Sequence, residues 1–203
     1  MLRQQVSSFE EESVENLEKQ EIAFKLVAHI LDKVRIDSAL LEQVRFIAKR
    51  QLQSMSVFLK IRKRDWNEHG ALLKARINTK LSVYQAAAKL TLSCLACYET
   101  DVKSAKNQAW WPGTAYFAHP LKPVVLTVCS QADTWATSQG AMFESVMKTS
   151  CEIIESCWTK ERAPVDTFIM GLATSIRERN DFEEQADKDK EAVPVVQLML
   201  YAC

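Results

Sequence analysis

Residues 73–95 read LKARINTKLSVYQAAAKLTLSCL, and this stretch decides the fold. Leu73, Ile77, Leu81, Tyr84, Ala88, Leu92 and Leu95 recur at steps of three and four. That period places side chains on one face of an α-helix. Ala86-Ala87-Ala88 leaves room there for a neighbouring helix to approach closely. The pattern predicts a helix over about 68–100. Before it, Trp66-Asn67-Glu68-His69-Gly70 reads as a break. Asn67 can cap a helix, and a glycine inside one costs about 1 kcal/mol.

The same period extends towards the N-terminus. Ser8 and Glu11 have the spacing of a capping box and can start a first helix. Along it, Ile22, Leu26 and Ile30 interleave with Phe24, Val27, Leu31 and Val34 on one broad apolar face. Glutamates 11, 12, 15 and 18 lie opposite. Asp37 or Ser38 can cap a second helix. Its apolar line runs Leu41, Val44, Ala48, Leu52, Met55 and Leu59, flanked by Ile47 and Phe58.

Towards the C-terminus, Asn107 to Pro123 breaks the period and holds three of the chain's five prolines. It reads as a long ordered loop carrying Trp110, Trp111, Tyr116 and Phe117. Helix resumes near Pro123 or Val124, because proline is accepted in a first turn. Gly140 can interrupt it, and Met142, Val146, Ile153, Ile154 and Trp158 continue an apolar face. Pro164 opens a further helix with Val165, Phe168, Ile169, Leu172 and Ile176 at helical spacing. Residues 177–191 hold seven acids and four bases, a solvated helix end or a linker. Residues 193–201 are apolar again, and an apolar terminus must pack on something, in this chain or in a larger protein of which it is part.

The sum is five to seven helices and no convincing strand. The fold class is all-α: an elongated antiparallel helical bundle, or an irregular α-solenoid segment. No repeat of fixed period is visible. The expected organisation is a helical domain over 1–176, a charged linker or solvated helix end over 177–192, and an apolar segment over 193–203. Four glycines among 203 residues disfavour a sandwich or barrel and leave nothing for a glycine-rich phosphate loop. Lysine plus arginine equals aspartate plus glutamate at 26 each, so no global field announces a polyanion partner. The N-terminal stretch has no secretory pattern, and no apolar run reaches the roughly 18 residues that span a bilayer. With six cysteines and no signal segment, the expectation is an intracellular protein, cytoplasmic or nuclear, with reduced thiols.

Two surfaces stand out. Lys60, Arg62, Lys63 and Arg64 are the centre of a basic stretch, 49–80, with nine bases against two acids. Such a local field suits phosphates or an anionic surface. It also suits a helix C-terminus, or the acidic first helix, where residues 1–25 hold six glutamates and three bases. Trp110, Trp111, Tyr116 and Phe117 are candidate partner contacts, because aromatics bury a large area at low entropy cost. They can equally plug the end of the bundle. Cys94-x-x-Cys97 is half a zinc site at best, and apolar neighbours favour buried thiols. No short catalytic motif is present.

These features predict a protein that is not an enzyme: a helical protein-interaction or scaffold module within a larger intracellular assembly. It would use no cofactor or metal, and no small molecule is expected as a partner. The alternatives are binding of nucleic acid or an anionic surface through 49–80, and a helical enzyme whose site is assembled from distant residues.

Overall fold

The computed structural model describes residues 14–34, 36–59, 63–105, 113–130 and 140–184. All the regular structure among them is helical, as the sequence period predicts. The helices are α1 Val14–Leu31, α2 Ser38–Phe58, α3 Lys63–Ala105, the single turn α4 Ala115–Ala118, α5 Lys122–Cys129, α6 Gly140–Lys160 and α7 Arg162–Glu184. A 3₁₀ turn, His119–Leu121, joins α4 to α5.

Helix α3 is the axis. Its middle is buried on every side but one: Val83, Tyr84, Ala86, Ala87, Ala88, Leu90, Thr91, Ser93, Cys94 and Leu95 are all inside. Only Asn78, Gln85, Lys89 and Ala96 form an exposed line. A helix apolar nearly all round belongs in the middle of a structure, not on its surface. The three consecutive alanines let neighbours come close on adjacent faces at once.

Helices α1 and α2 pack along one side of α3, and α6 packs on another. At one end Gln51 of α2 accepts from Lys80 of α3 at 3.5 Å and donates to Gln20 of α1 at 2.9 Å. At the other end, Ser93 donates to Asp32 at 2.8 Å and the Cys97 thiol to the Leu31 carbonyl at 3.6 Å. Helix α1 thus runs in the same direction as α3, and α2 runs against both. Opposite them, Tyr84 meets Ser150 of α6 at 2.8 Å. Ser150 spends its single proton on the Val146 carbonyl at 2.7 Å, so the tyrosine hydroxyl is the donor. Burial pushes the Tyr84 hydroxyl well above its ordinary ionisation range.

Local chemistry accounts for several boundaries. The Asp37 carboxylate accepts from the Leu40 N–H at 3.0 Å and caps α2. Pro123 sits in the first turn of α5 and Pro164 in the first turn of α7, where a missing N–H costs nothing. The capping box at Ser8 lies outside the described residues. The domain limit expected at residue 176 falls within α7, which continues to Glu184.

Three expectations are corrected. The break at residues 66–70 is absent: α3 is continuous for 43 residues and carries Gly70 inside it. The cost of one helical glycine is small beside the tertiary packing that holds so long a helix. The long loop expected up to Pro123 becomes helical from Ala115, through α4 and the 3₁₀ turn. Proline at 120 removes one donor, and a 3₁₀ turn tolerates that loss. The broad apolar face of α1 also divides. Leu17, Phe24, Ala28 and Leu31 face α3, whereas Ile22, Leu26, Ile30 and Val34 face outwards.

The packing at the axis yields two predictions. Ala87→Leu places three extra carbons where nothing can move aside, and a loss of about 1–3 kcal/mol is expected in urea unfolding. The buried thiols set an alkaline limit. Burial holds the Cys94 and Cys157 thiols up to about 12, from an ordinary value of 9.0. The unfolded chain releases those protons above pH 9 while the fold retains them. Stability is therefore full below pH 9 and falls as pH rises towards 12. Denaturation midpoints at pH 7.5 and 10.5 would show the drop, and Cys94→Ala would reduce its size.

Candidate interaction surface

The segment that follows the sequence Trp110-Trp111-Pro112 is fixed by one glycine and one carboxylate. Gly113 has φ +72, a left-handed conformation that side chains resist. The turn lets the Thr114 N–H donate to Glu161 Oε2 at 2.8 Å, across to the α6–α7 corner. A β-carbon at position 113 would stand 3.4 Å from that same oxygen. Thr114 itself is buried, and its hydroxyl has no hydrogen-bond partner among the described residues. Trp110 and Trp111 lie outside the described residues, so the structure gives no placement for either.

The two later aromatics of this group are placed. Phe117 is 1% exposed and packs into the core, edge-on to Tyr116 with ring centroids 6.5 Å apart. Tyr116 is half-buried and held from above. Arg45 of α2 lies over its ring at 3.9 Å and donates to its hydroxyl at 2.6 Å. The same guanidinium donates to Glu42 at 2.6 Å and 3.0 Å through two nitrogens. Lys49 approaches the ring from one turn further on, at 5.6 Å. Arg45 is only 5% exposed, yet its charge is met by a carboxylate, a hydroxyl and a π face. Sequence reading missed Arg45. Its one signal is the i, i+3 spacing from Glu42, which many surface pairs share.

The basic stretch is only partly visible. Lys63 and Arg64 occupy the first positions of α3, while Lys60 and Arg62 lie outside the described residues. Three other bases of 49–80 are drawn into the structure: Lys80 is 6% exposed, and Lys49 and Arg76 are half-buried. Arg50 stays exposed.

A third surface is apolar. Ile22, Leu26 and Ile30 follow one another at i, i+4 and i+8 along the outside of α1, 66%, 57% and 43% exposed. Leu40 and Ile47 of α2 are exposed too, at 45% and 51%. Because Gln20 is paired with Gln51 and the helices run antiparallel, Leu40 lies level with Ile30 and Ile47 level with Phe24. Leu40 and Ile47 of α2 therefore stand within the span of heights that Ile22, Leu26 and Ile30 occupy on α1.

The remaining chemistry is structural. Cys94 and Cys157 are fully buried, and burial also pushes Cys129 up to about 11 and raises Cys151. Thiols held that far from ionisation make poor nucleophiles. His119 stacks on Phe168 at 5.4 Å. Among the described residues, no group of three or more His, Cys, Asp or Glu could hold a metal ion. No helix among them is long and apolar enough to cross a membrane.

The Arg45–Tyr116 contact predicts an asymmetry between its two partners. Tyr116→Phe keeps the ring and loses one hydrogen bond to a charged group, a cost of about 1.5–3 kcal/mol. Arg45→Ala also removes the side chain that closes the core over Tyr116, so it is expected to cost more. A double-mutant cycle in urea should give a coupling of at least about 1 kcal/mol.

Comparison with known proteins places these features. A family model described as the PI4-kinase N-terminal region matches residues 24–111 and 114–202. Phosphatidylinositol 4-kinase alpha 1 from Arabidopsis thaliana is 54% identical over 241 aligned residues, covering 98% of this chain. The chain spans 12% of that protein's length. No solved structure matches it. The expectation of a protein that is not an enzyme is corrected by this comparison, because the relative is a kinase. No short motif in these residues announced phosphoryl transfer. With nearly the whole chain matched, the protein belongs to the PI4-kinase N-terminal region family.

Proposed function

We propose that this chain is a helical protein-interaction module in the N-terminal part of a phosphatidylinositol 4-kinase, joining the kinase to another protein in an intracellular assembly. The family match over 24–111 and 114–202 is the observation that carries this reading.

The proposed contact is centred on Trp110 and Trp111, with Tyr116 and Phe117 following them in the chain. Two tryptophans directly precede a turn that Glu161 and Gly113 pin in place. Tryptophans are favoured as interface anchors because they bury a large area at low entropy cost.

A second reading has an observation of its own. The relative's name specifies a lipid as substrate, so an anionic bilayer is a natural target for Lys60, Arg62, Lys63 and Arg64. Nothing in the comparisons supports nucleic acid in that role.

The test is affinity capture from lysate with the full-length polypeptide, treated with nuclease. A Trp110→Ala/Trp111→Ala variant is expected to lose a protein partner by about 30-fold or more, the size of a lost hot spot. A Lys60→Glu/Arg62→Glu/Lys63→Glu/Arg64→Glu variant should retain it. Undiminished capture by the tryptophan variant would overturn the proposed contact. In parallel, loss of co-flotation with phosphatidylserine vesicles in the charge-reversed variant alone would establish the second reading, and equal flotation would remove it.

A further inference from the structure

From the direction in which α1 runs we infer that the acidic run Glu10-Glu11-Glu12 is an intramolecular cover on the basic N-terminal part of α3. Anions reach those bases only when the run is displaced. Its counterparts are Lys63, Arg64 and Lys74, with Arg76 and Lys80 further along the helix.

Three helix ends coincide here. Gln20 of α1, Gln51 of α2 and Lys80 of α3 are bonded in a row, so they stand at one height. Helix α1 runs parallel to α3, and its first residue, Val14, stands level with Lys74, since each lies six residues before that height. Helix α2 runs the other way and ends at Phe58, seven residues past Gln51. The start of α1, the end of α2 and the start of α3 therefore share one end of the three helices. Glu10, Glu11 and Glu12 enter the fold there, just ahead of α1. An extended residue covers about 3.5 Å, so Glu10 has a reach of about 14 Å from Val14. Lys63 stands about 17 Å from Lys74 along α3. The lengths of the Lys and Glu side chains close the remainder.

Charge gives the run its target. Residues 63–80 hold five bases and two acids, so that part of α3 cannot neutralise itself. Residues 1–13 hold three acids, all in the run, and one base, Arg3. Lys63 and Arg64 occupy the first turn of α3, the end at which the helix dipole opposes cations and favours carboxylates. Within α1, Glu15 is engaged with Lys19 at 2.6 Å and Glu21 with Lys25, while the exposed Glu18 adds to the acidic sign. Each exposed ion pair is weak, but a short tether presents the carboxylates at an effective concentration of about millimolar. Such a cover holds against dilute anions and yields to a dense anionic surface. Screening within about 8 Å at physiological salt keeps it reversible.

Two measurements on the full-length polypeptide test this. A carbodiimide joins a carboxylate to an amine only where the two touch. Peptide mass spectrometry is expected to find a bond from Glu10, Glu11 or Glu12 to Lys63 or Lys74 within one chain, lost in about 1 M NaCl. A Glu10→Gln/Glu11→Gln/Glu12→Gln variant is then compared on heparin with Glu144→Gln/Glu152→Gln/Glu155→Gln, which removes the same charge from exposed sites on α6. The first variant is expected to elute at a salt concentration higher by at least about 50 mM. Absence of the cross-link overturns the inference, as does a bond formed only between isotopically distinct chains. Equal elution of the two variants overturns it as well. Phosphatidylserine vesicles separate this result from the bilayer reading of the basic stretch. A gain on heparin without a gain in flotation retains the cover and removes the bilayer.

Discussion

The middle of α3 is the constraint on which the rest depends. Between Val83 and Leu95 that helix must be surrounded, because almost every direction around it is apolar or bonded inwards. Three alanines set how near its neighbours come. The few polar groups there, Tyr84 against Ser150 and Ser93 against Asp32, fix where α6 and α1 sit along the axis. Apolar surface drives the association and is indifferent to register. Hydrogen bonds from buried hydroxyls are specific to it, since a one-turn slip would leave them unpaired in a low-dielectric interior.

The segment from Gly113 to Cys129 depends on that axis at one remove. It is short and mostly buried, with Val124 through Val128 all inside and His119 and Lys122 exposed. A helix of that length has little stability of its own. It is held by α2 on one side and by α6 and α7 on the other. Arg45 secures the first side through Tyr116, and Glu161 secures the second through Thr114. A buried guanidinium is costly unless each of its faces is met, and here carboxylate, hydroxyl and ring meet it together. Its value is positional: it fixes the orientation of the chain that enters the fold just after the two tryptophans.

For a member of the PI4-kinase N-terminal region family, the described residues are organised by packing between helices. Among the described residues, no group of three or more His, Cys, Asp or Glu is placed to hold a metal ion. The chain's exposed apolar residues lie mainly on α1 and α2, and burial holds the Cys94, Cys129, Cys151 and Cys157 thiols away from ionisation.

The sequence by itself determined the class and most of the inward faces. The period of three and four marked α2, α3, α6 and α7, and Asp37, Pro123 and Pro164 marked starts, because these are local effects of helix geometry. Other features were decided only by the tertiary structure. Helix α1 carries two apolar rows, and the period alone does not say which of them faces α3 and which faces outwards. Gly70 reads as a break until the packing of a 43-residue helix outweighs it. Arg45 looks like any surface base until Tyr116, 71 residues away, closes over it. Kinship to a lipid kinase was not legible in these residues either. Period and capping are local in the chain, whereas burial depends on which distant segments arrive, and that is settled only when the helices pack.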